Sequence, residues 1–203
     1  MSYKKALTVQ KKILDHAPDD INALHEMGDV YEQLQYLAYE EGDLERRREC
    51  YEKKMGYYEK ALEIQEKIVE SNRDDVKALR DLQIAYKRLS CRLKAGDDFK
   101  KAREYFVKSV DISAWFVEHK PGDAAALYDL CADYTPLRAL SIEEGNFKEA
   151  REYYEKQIEV LEKILRLDPD DHEALGILEK VRAELGALSK EEWAIVQTRD
   201  YFI

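Results

Sequence analysis

Apolar residues recur along this chain in a helical rhythm. The pattern Ala-Leu-x-x-apolar-x-x-x-Tyr occurs as Ala23-Leu24/Met27/Tyr31, as Ala78-Leu79/Leu82/Tyr86 and as Ala126-Leu127/Leu130/Tyr134, with a partial copy at Ala174-Leu175/Leu178. Spacings of three and four place these residues on one stripe of an α-helix. The copies follow Asp19-Asp20, Asp74-Asp75, Gly122-Asp123 and Asp170-Asp171. The first three predicted helices end at Gly42-Asp43, Gly96-Asp97 and Gly145-Asn146, where glycine supplies the left-handed turn that closes a helix. A second helix then starts at Leu44, Phe99 or Phe147 and runs about 22 to 29 residues to the next acidic turn.

The helix pairs are copies of one another. A shift of 48 lays Phe99-Lys-Lys-Ala-Arg-Glu-Tyr-Phe106 on Phe147-Lys-Glu-Ala-Arg-Glu-Tyr-Tyr154 with six of eight positions identical. A shift of 96 lays Tyr57-Tyr-Glu-Lys60 on Tyr153-Tyr-Glu-Lys156. A shift of 55 lays Tyr3-Lys-Lys-Ala-Leu-Thr-Val-Gln10 on Tyr58-Glu-Lys-Ala-Leu-Glu-Ile-Gln65, and Asp19-Asp20 on Asp74-Asp75. The seven extra residues are two helical turns, so one helix carries an inserted heptad without changing its buried face. One such pair cannot bury its stripe alone, but stacked copies can. The expected fold is therefore all-α, a right-handed α-solenoid of antiparallel helix pairs. It is read as a single domain over residues 1–203, with an N-terminal half-repeat helix (1–18), repeats at 19–73, 74–121 and 122–169, and C-terminal capping helices at 170–203.

The ends carry their own expectations. Residues 3–17 match a second helix with no first helix before it, so the chain opens mid-repeat, as a lone cap or as a piece of a longer protein. Near the C-terminus, Gly186 is expected to close a shorter helix. Ser189-Lys-Glu-Glu192 then forms a capping box for a final helix that carries Trp193, Ile195, Val196 and Tyr201.

These residues resemble the tetratricopeptide repeat, whose pattern is W-x2-L-G-x2-Y, then A-x3-F, then P. Leu24-x-x-Met27-Gly28-x-x-Tyr31 fits with Leu for Trp; the second and third copies have Gln83 and Cys131 at the small position. Ala102-x3-Phe106 and Ala150-x3-Tyr154 supply the second-helix signature, and Arg47, before Tyr51, is read as the replacement for that alanine in the first repeat. Pro18, Pro121 and Pro169 mark the inter-repeat turn, with Arg73 in the fourth such place. The period of 48 departs from the family's roughly 34, an excess of about two turns per helix.

The resemblance implies that first helices line a concave face where a partner binds. Its polar positions would be Asn22, His25, Glu26, Asp29 and Glu32 in the first repeat, with Lys77, Arg80, Asp81, Ile84, Lys87 and Arg88 in the second. The third repeat contributes Ala125, Tyr128, Asp129 and Ala132. Family members that hold acidic chaperone tails use a Lys/Asn/Arg clamp at places where this chain has His25, Asp29, Asp81, Ala125 and Asp129. The clamp is broken, and its carboxylates favour a partner of basic or mixed charge.

Composition narrows the function further. The chain has 203 residues, 45% of them hydrophobic, but only 8 Gly and 4 Pro, which excludes collagen-like and disordered classes. A net charge of −10 opposes nucleic-acid binding, and the one basic cluster, Arg46-Arg47-Arg48, stands among glutamates as a solvated face. Cys50, Cys91 and Cys131 form neither a disulfide framework nor a zinc motif and are each expected in the core. No apolar run reaches the roughly 18 residues of a membrane span, and no signal-peptide core follows Met1, so the cytoplasm is expected.

No catalytic motif is present, and neither enzyme activity nor a cofactor is expected. His16, His119 and His172 lie near inter-repeat turns and His25 on a first helix, none in metal-ligand spacing. Most of the 14 tyrosines fall on packing stripes, whereas Tyr36 and Tyr39 lie in the added helix turns. Pro136 interrupts the third first-helix, as a kink that is tolerated or one that shapes a groove. The functional expectation is a non-enzymatic scaffold, a monomer or homodimer, that binds a protein or peptide. The alternatives are a regulatory or oligomerising segment of a larger signalling protein and a small-molecule sensor with a pocket between extended helices.

Overall fold

Four aspartates start the helix pairs. Asp20, Asp75, Asp123 and Asp171 each accept, through the side chain, the backbone N–H of the alanine three residues on, at 2.9 to 3.2 Å. This satisfies one of the amides that an α-helix leaves without an internal partner at its N-terminus. The structure is a computed structural model that describes residues 2–200, with side chains at residue 3 and residues 5–188.

Among those residues there are eight helices: α1 (Ser2–His16), α2 (Ile21–Glu40), α3 (Leu44–Ser71), α4 (Val76–Ala95), α5 (Phe99–His119), α6 (Ala124–Glu143), α7 (Phe147–Leu167) and α8 (His172–Asp200). The three first helices have 20 residues each, whereas α3 has 28 against 21 in α5 and α7. The inserted heptad therefore lies in α3, as the shift from 48 to 55 implies. The architecture is an all-α array of helix hairpins.

The turn inside each hairpin is a shared cap. Asp43, Asp98 and Asn146 donate their N–H back to the carbonyl five residues earlier (Ala38, Leu93, Ser141) and start the next helix with their side chains. The preceding residue is left-handed: Gly42 and Gly145 at φ 72°, but Asp97, not Gly96, in the second repeat at φ 64°. The position is fixed by its distance from Phe99, which puts Gly96 one residue too early.

At the C-terminus the sequence expectation is corrected. The helix does not stop at Gly186; α8 runs unbroken through the predicted capping box to Asp200. The backbone hydrogen bonds of a continuing helix prevail over one glycine, which costs only about 1 kcal/mol in a helix interior. The expected packing of Trp193, Ile195 and Val196 falls among side chains outside the described residues, and Tyr201 lies outside them altogether.

The helices gather into two compact units, Met1–Ala85 and Tyr86–Ile203, whose boundary lies inside α4. In the first unit α1 packs on α2 and α2 on α3, around Leu24, Met27, Tyr58, Ala61 and Leu62. In the second, α5, α6, α7 and α8 pack in sequence, around Leu127, Leu130, Ala150, Tyr154, Leu161 and Ile164.

Candidate functional site

Each hairpin is held by a tyrosine pair. Tyr31 stacks on Tyr57, Tyr86 on Tyr105, and Tyr134 tilts over Tyr153, with ring centroids 5.7, 5.7 and 6.1 Å apart. Lys108 lies over both rings of its pair and Lys156 over both rings of the next. The equivalent Lys60 instead donates to the Pro18 carbonyl at 2.6 Å, and Lys53 takes its place over Tyr31. These tyrosines are packing residues with their hydroxyls at the core's edge.

The tyrosine pairs also fix the register of α3. Because Tyr57 is the partner of Tyr31, the alanine place of the first repeat is held by Lys54, with Arg47 exposed and stacked over Tyr39 at 5.0 Å. Lys54 is only 6% exposed. It donates to the Gln35 amide oxygen at 2.8 Å, pairs with Glu32 at 3.5 Å and lies over the Tyr51 ring. A buried ammonium is tolerable only with such partners.

In the first unit the candidate groove residues divide. Asp29 accepts the Tyr58 hydroxyl at 2.5 Å, and His25 meets the same ring edge-on at 5.9 Å. Glu26 accepts from the Gln10 amide. These three are bound to neighbouring helices and brace the α1–α2–α3 packing. Asn22 is exposed. On α4, Lys77, Asp81 and Ile84 are exposed and Arg80 half-buried. Lys77 and Asp81 line a cleft of about 220 Å³ with Ile21, Gln65, Ile68, Asp75 and Ala78. Neither the Lys77 nor the Asp81 side chain has an ion pair or hydrogen bond among the described residues.

In the second unit Tyr128 donates to Asp171 at 2.8 Å. Partial burial and that bond raise the Tyr128 phenol above its ordinary range. The N–H of Ala174 and the Tyr128 hydroxyl hold the half-buried Asp171 carboxyl below its ordinary value. Tyr128 thus ties α6 to the start of α8, and Asp129 beside it is half-buried. Lys87, expected to face a groove, instead pairs with Asp133 at 2.5 Å.

Sequence reasoning missed the buried polar groups. Asp133 also accepts from Ser113 at 2.5 Å and Ser109 at 3.2 Å. Gln157 donates to the Cys131 carbonyl at 2.9 Å and to Thr135 at 3.0 Å, on the turn of α6 that Pro136 loosens by lacking an N–H. Arg138 donates to Gln157 at 2.6 Å, pairs with Glu184 at 2.9 Å and covers the Tyr154 ring. Arg103 grips Glu144 at 2.6 Å and Glu149 at 2.9 Å across the α6–α7 turn. The signal was there as polar residues on an otherwise apolar stripe, Asp133 and Gln157 above all.

The histidines and cysteines are mostly structural. His16 and His119 bond the carbonyls of Lys12 and Trp115 at 2.8 Å in the last turns of α1 and α5. Cys50 and Cys131 are buried, but Cys91 is exposed, against the core expectation, because α4 turns that position outward. Burial pushes the Cys131 thiol up to about 11. No helix among the described residues is long and apolar enough to cross a membrane.

The class this geometry defines is a helical-hairpin repeat. The family model described as Tetratricopeptide repeat matches residues 139–160, from the end of α6 through the Gly145 turn into α7. No curated protein sequence matches the chain. Among solved structures the chain is similar to the "DHF58 filament", at 17% identity and TM-score 0.42 over 97% of this chain and 94% of that one. It is also similar to the de novo designed helical repeat protein DHR64, at 16% identity and TM-score 0.40 over 96% and 95%. A third is the crystal structure of MamA, at 21% identity and TM-score 0.30 over 81% and 91%. TM-scores below 0.5 establish neither a shared arrangement of helices nor a shared function.

Proposed function

We propose that this chain is a non-enzymatic scaffold that binds a protein or peptide partner through the exposed positions of its first helices. It acts as a monomer or homodimer in the cytoplasm. Support comes from the tetratricopeptide match at residues 139–160 and from the hairpin repetition around it. The observation that carries the reading is the face of α4 in the first unit. Lys77, Asp81 and Ile84 share that face, spaced four and three apart, and Lys77 and Asp81 are not used to hold the fold.

Where Asp29 and Glu26 are already engaged within the first unit, Asp81 is the carboxylate left to meet a basic group. Capture from host lysate, read by mass spectrometry, tests the proposal. The Asp81→Lys variant is expected to lose proteins that the wild-type chain retains. An identical set of captured proteins for both chains would place the binding face elsewhere.

A further inference from the structure

The cleft beside the start of α4 is an interruption of the repeat. Ile68, Phe116 and Ile164 are equivalent residues, 48 apart, in the second helices of the three repeats. Phe116 is 6% exposed and Ile164 1%, each closed over by its surroundings, whereas Ile68 is 43% exposed. The residue one turn earlier shows the same departure. Leu161 is buried in the core and Ser113 bonds Asp133, but the equivalent Gln65 has its amide oxygen buried with no hydrogen-bond partner. An unmatched buried amide oxygen costs about 1–3 kcal/mol. An apolar side chain, an amide group and two charges thus meet where α3 leaves the pattern of the later two repeats unfilled. The helix α1 shares the exposed isoleucine (Ile13) and the unmatched amide oxygen (Gln10), but its apolar cleft has no carboxylate on its lining.

We infer that this cleft is an anchor site for an extended peptide of a protein partner. The peptide presents one large aliphatic side chain with a basic residue beside it. The inference rests on the scaffold reading and names the chemistry of its partner. Ile21, Ile68 and Ala78 supply the apolar contact, and about 220 Å³ is room for a single side chain rather than a helix. Asp75 and Asp81 against Lys77 leave the rim with an excess of one negative charge, which selects a basic neighbour. The buried Gln65 oxygen receives a peptide N–H once the anchor side chain displaces the residues that cover it.

The test is nuclear magnetic resonance on the isotope-labelled full chain with three capped tripeptides: Arg-Leu-Arg, Arg-Ser-Arg and Glu-Leu-Glu. Arg-Leu-Arg is expected to move the amide signals of Gln65, Ile68, Lys77 and Asp81, and the other two peptides to bind at least about fivefold more weakly. Ile68→Phe, which installs the residue found at 116, fills the cleft and should abolish binding while leaving the chain folded. Asp81→Lys, at an exposed position, should weaken Arg-Leu-Arg by about fivefold or more. Equal binding by all three peptides, shifts elsewhere on the chain, no binding at all, or full binding by Ile68→Phe would each overturn the anchor site. A lysate protein retained equally by wild type and Ile68→Phe would overturn the anchor and leave the scaffold reading standing. If the wild-type chain retains no lysate protein, the scaffold reading itself fails.

Discussion

Gly28 of α2 lies flat against the ring of Tyr58 on α3, so close that a Cβ at residue 28 would overlap three ring atoms. The ring cannot retreat easily, because it is buried and its hydroxyl is held by Asp29. Gly28→Ala should therefore destabilise the chain by about 1–3 kcal/mol, although alanine alone favours a helix by about 1 kcal/mol. Removing the ring in a Tyr58→Ala background should cancel most of that cost. A double-mutant cycle by chemical denaturation reads the coupling, and additive effects would contradict the contact.

Asp97 occupies a left-handed turn where the other two hairpins use glycine. Asp97→Gly should raise stability by about 0.5–1 kcal/mol, since an L-residue there pays a steric cost that glycine avoids. For a chain of this size that is about 1–4 °C in Tm. Circular dichroism melting checks it, with Gly145→Ala expected to move the other way.

The charges differ in weight by burial. Asp133→Ala takes this acceptor from the buried Ser109 hydroxyl and from Lys87, and leaves the Ser113 hydroxyl its bond to the Ser109 carbonyl, at a cost of about 1–3 kcal/mol. Arg48→Ala breaks an exposed pair with Glu52 and should cost under about 0.5 kcal/mol. Urea unfolding of both variants should show that ranking, and equal effects would mean that Asp133 is not desolvated.

Thiol chemistry should separate the three cysteines. Cys91 is exposed, whereas Cys50 and Cys131 are buried and the Cys131 thiol is pushed up to about 11. At pH 8 an aromatic disulfide reagent should consume one thiol quickly and the other two only on unfolding, because the thiolate is the reactive form. Loss of the fast phase in Cys91→Ser confirms the assignment.

Acid should erase the contribution of Tyr128. Bonds from the Ala174 N–H and the Tyr128 hydroxyl lower the folded-state value of Asp171. The stability this gives is present above the ordinary carboxylate value of about 3.9 and is lost as pH falls through the lowered one. Tyr128→Phe should thus melt below wild type at pH 6, with the gap closing as pH falls below the ordinary carboxylate range. A gap that stays constant across that range would show that the Asp171 charge does not matter.

The sequence by itself determined the helices and their punctuation. The Asp caps, the Gly42 and Gly145 turns and the extra heptad of α3 follow from local backbone chemistry and from spacing, both of which are written along the chain. Tertiary structure decided the rest. That Lys54 and not Arg47 takes the alanine place, that Lys87 turns to Asp133, and that Asp29 serves Tyr58 all depend on which helix face meets which. Helical spacing places a residue on a stripe but does not say what lies across from it. The cleft at Ile68 was hidden for the same reason: a repeat read from sequence predicts the filled positions, and only packing reveals where one is left open.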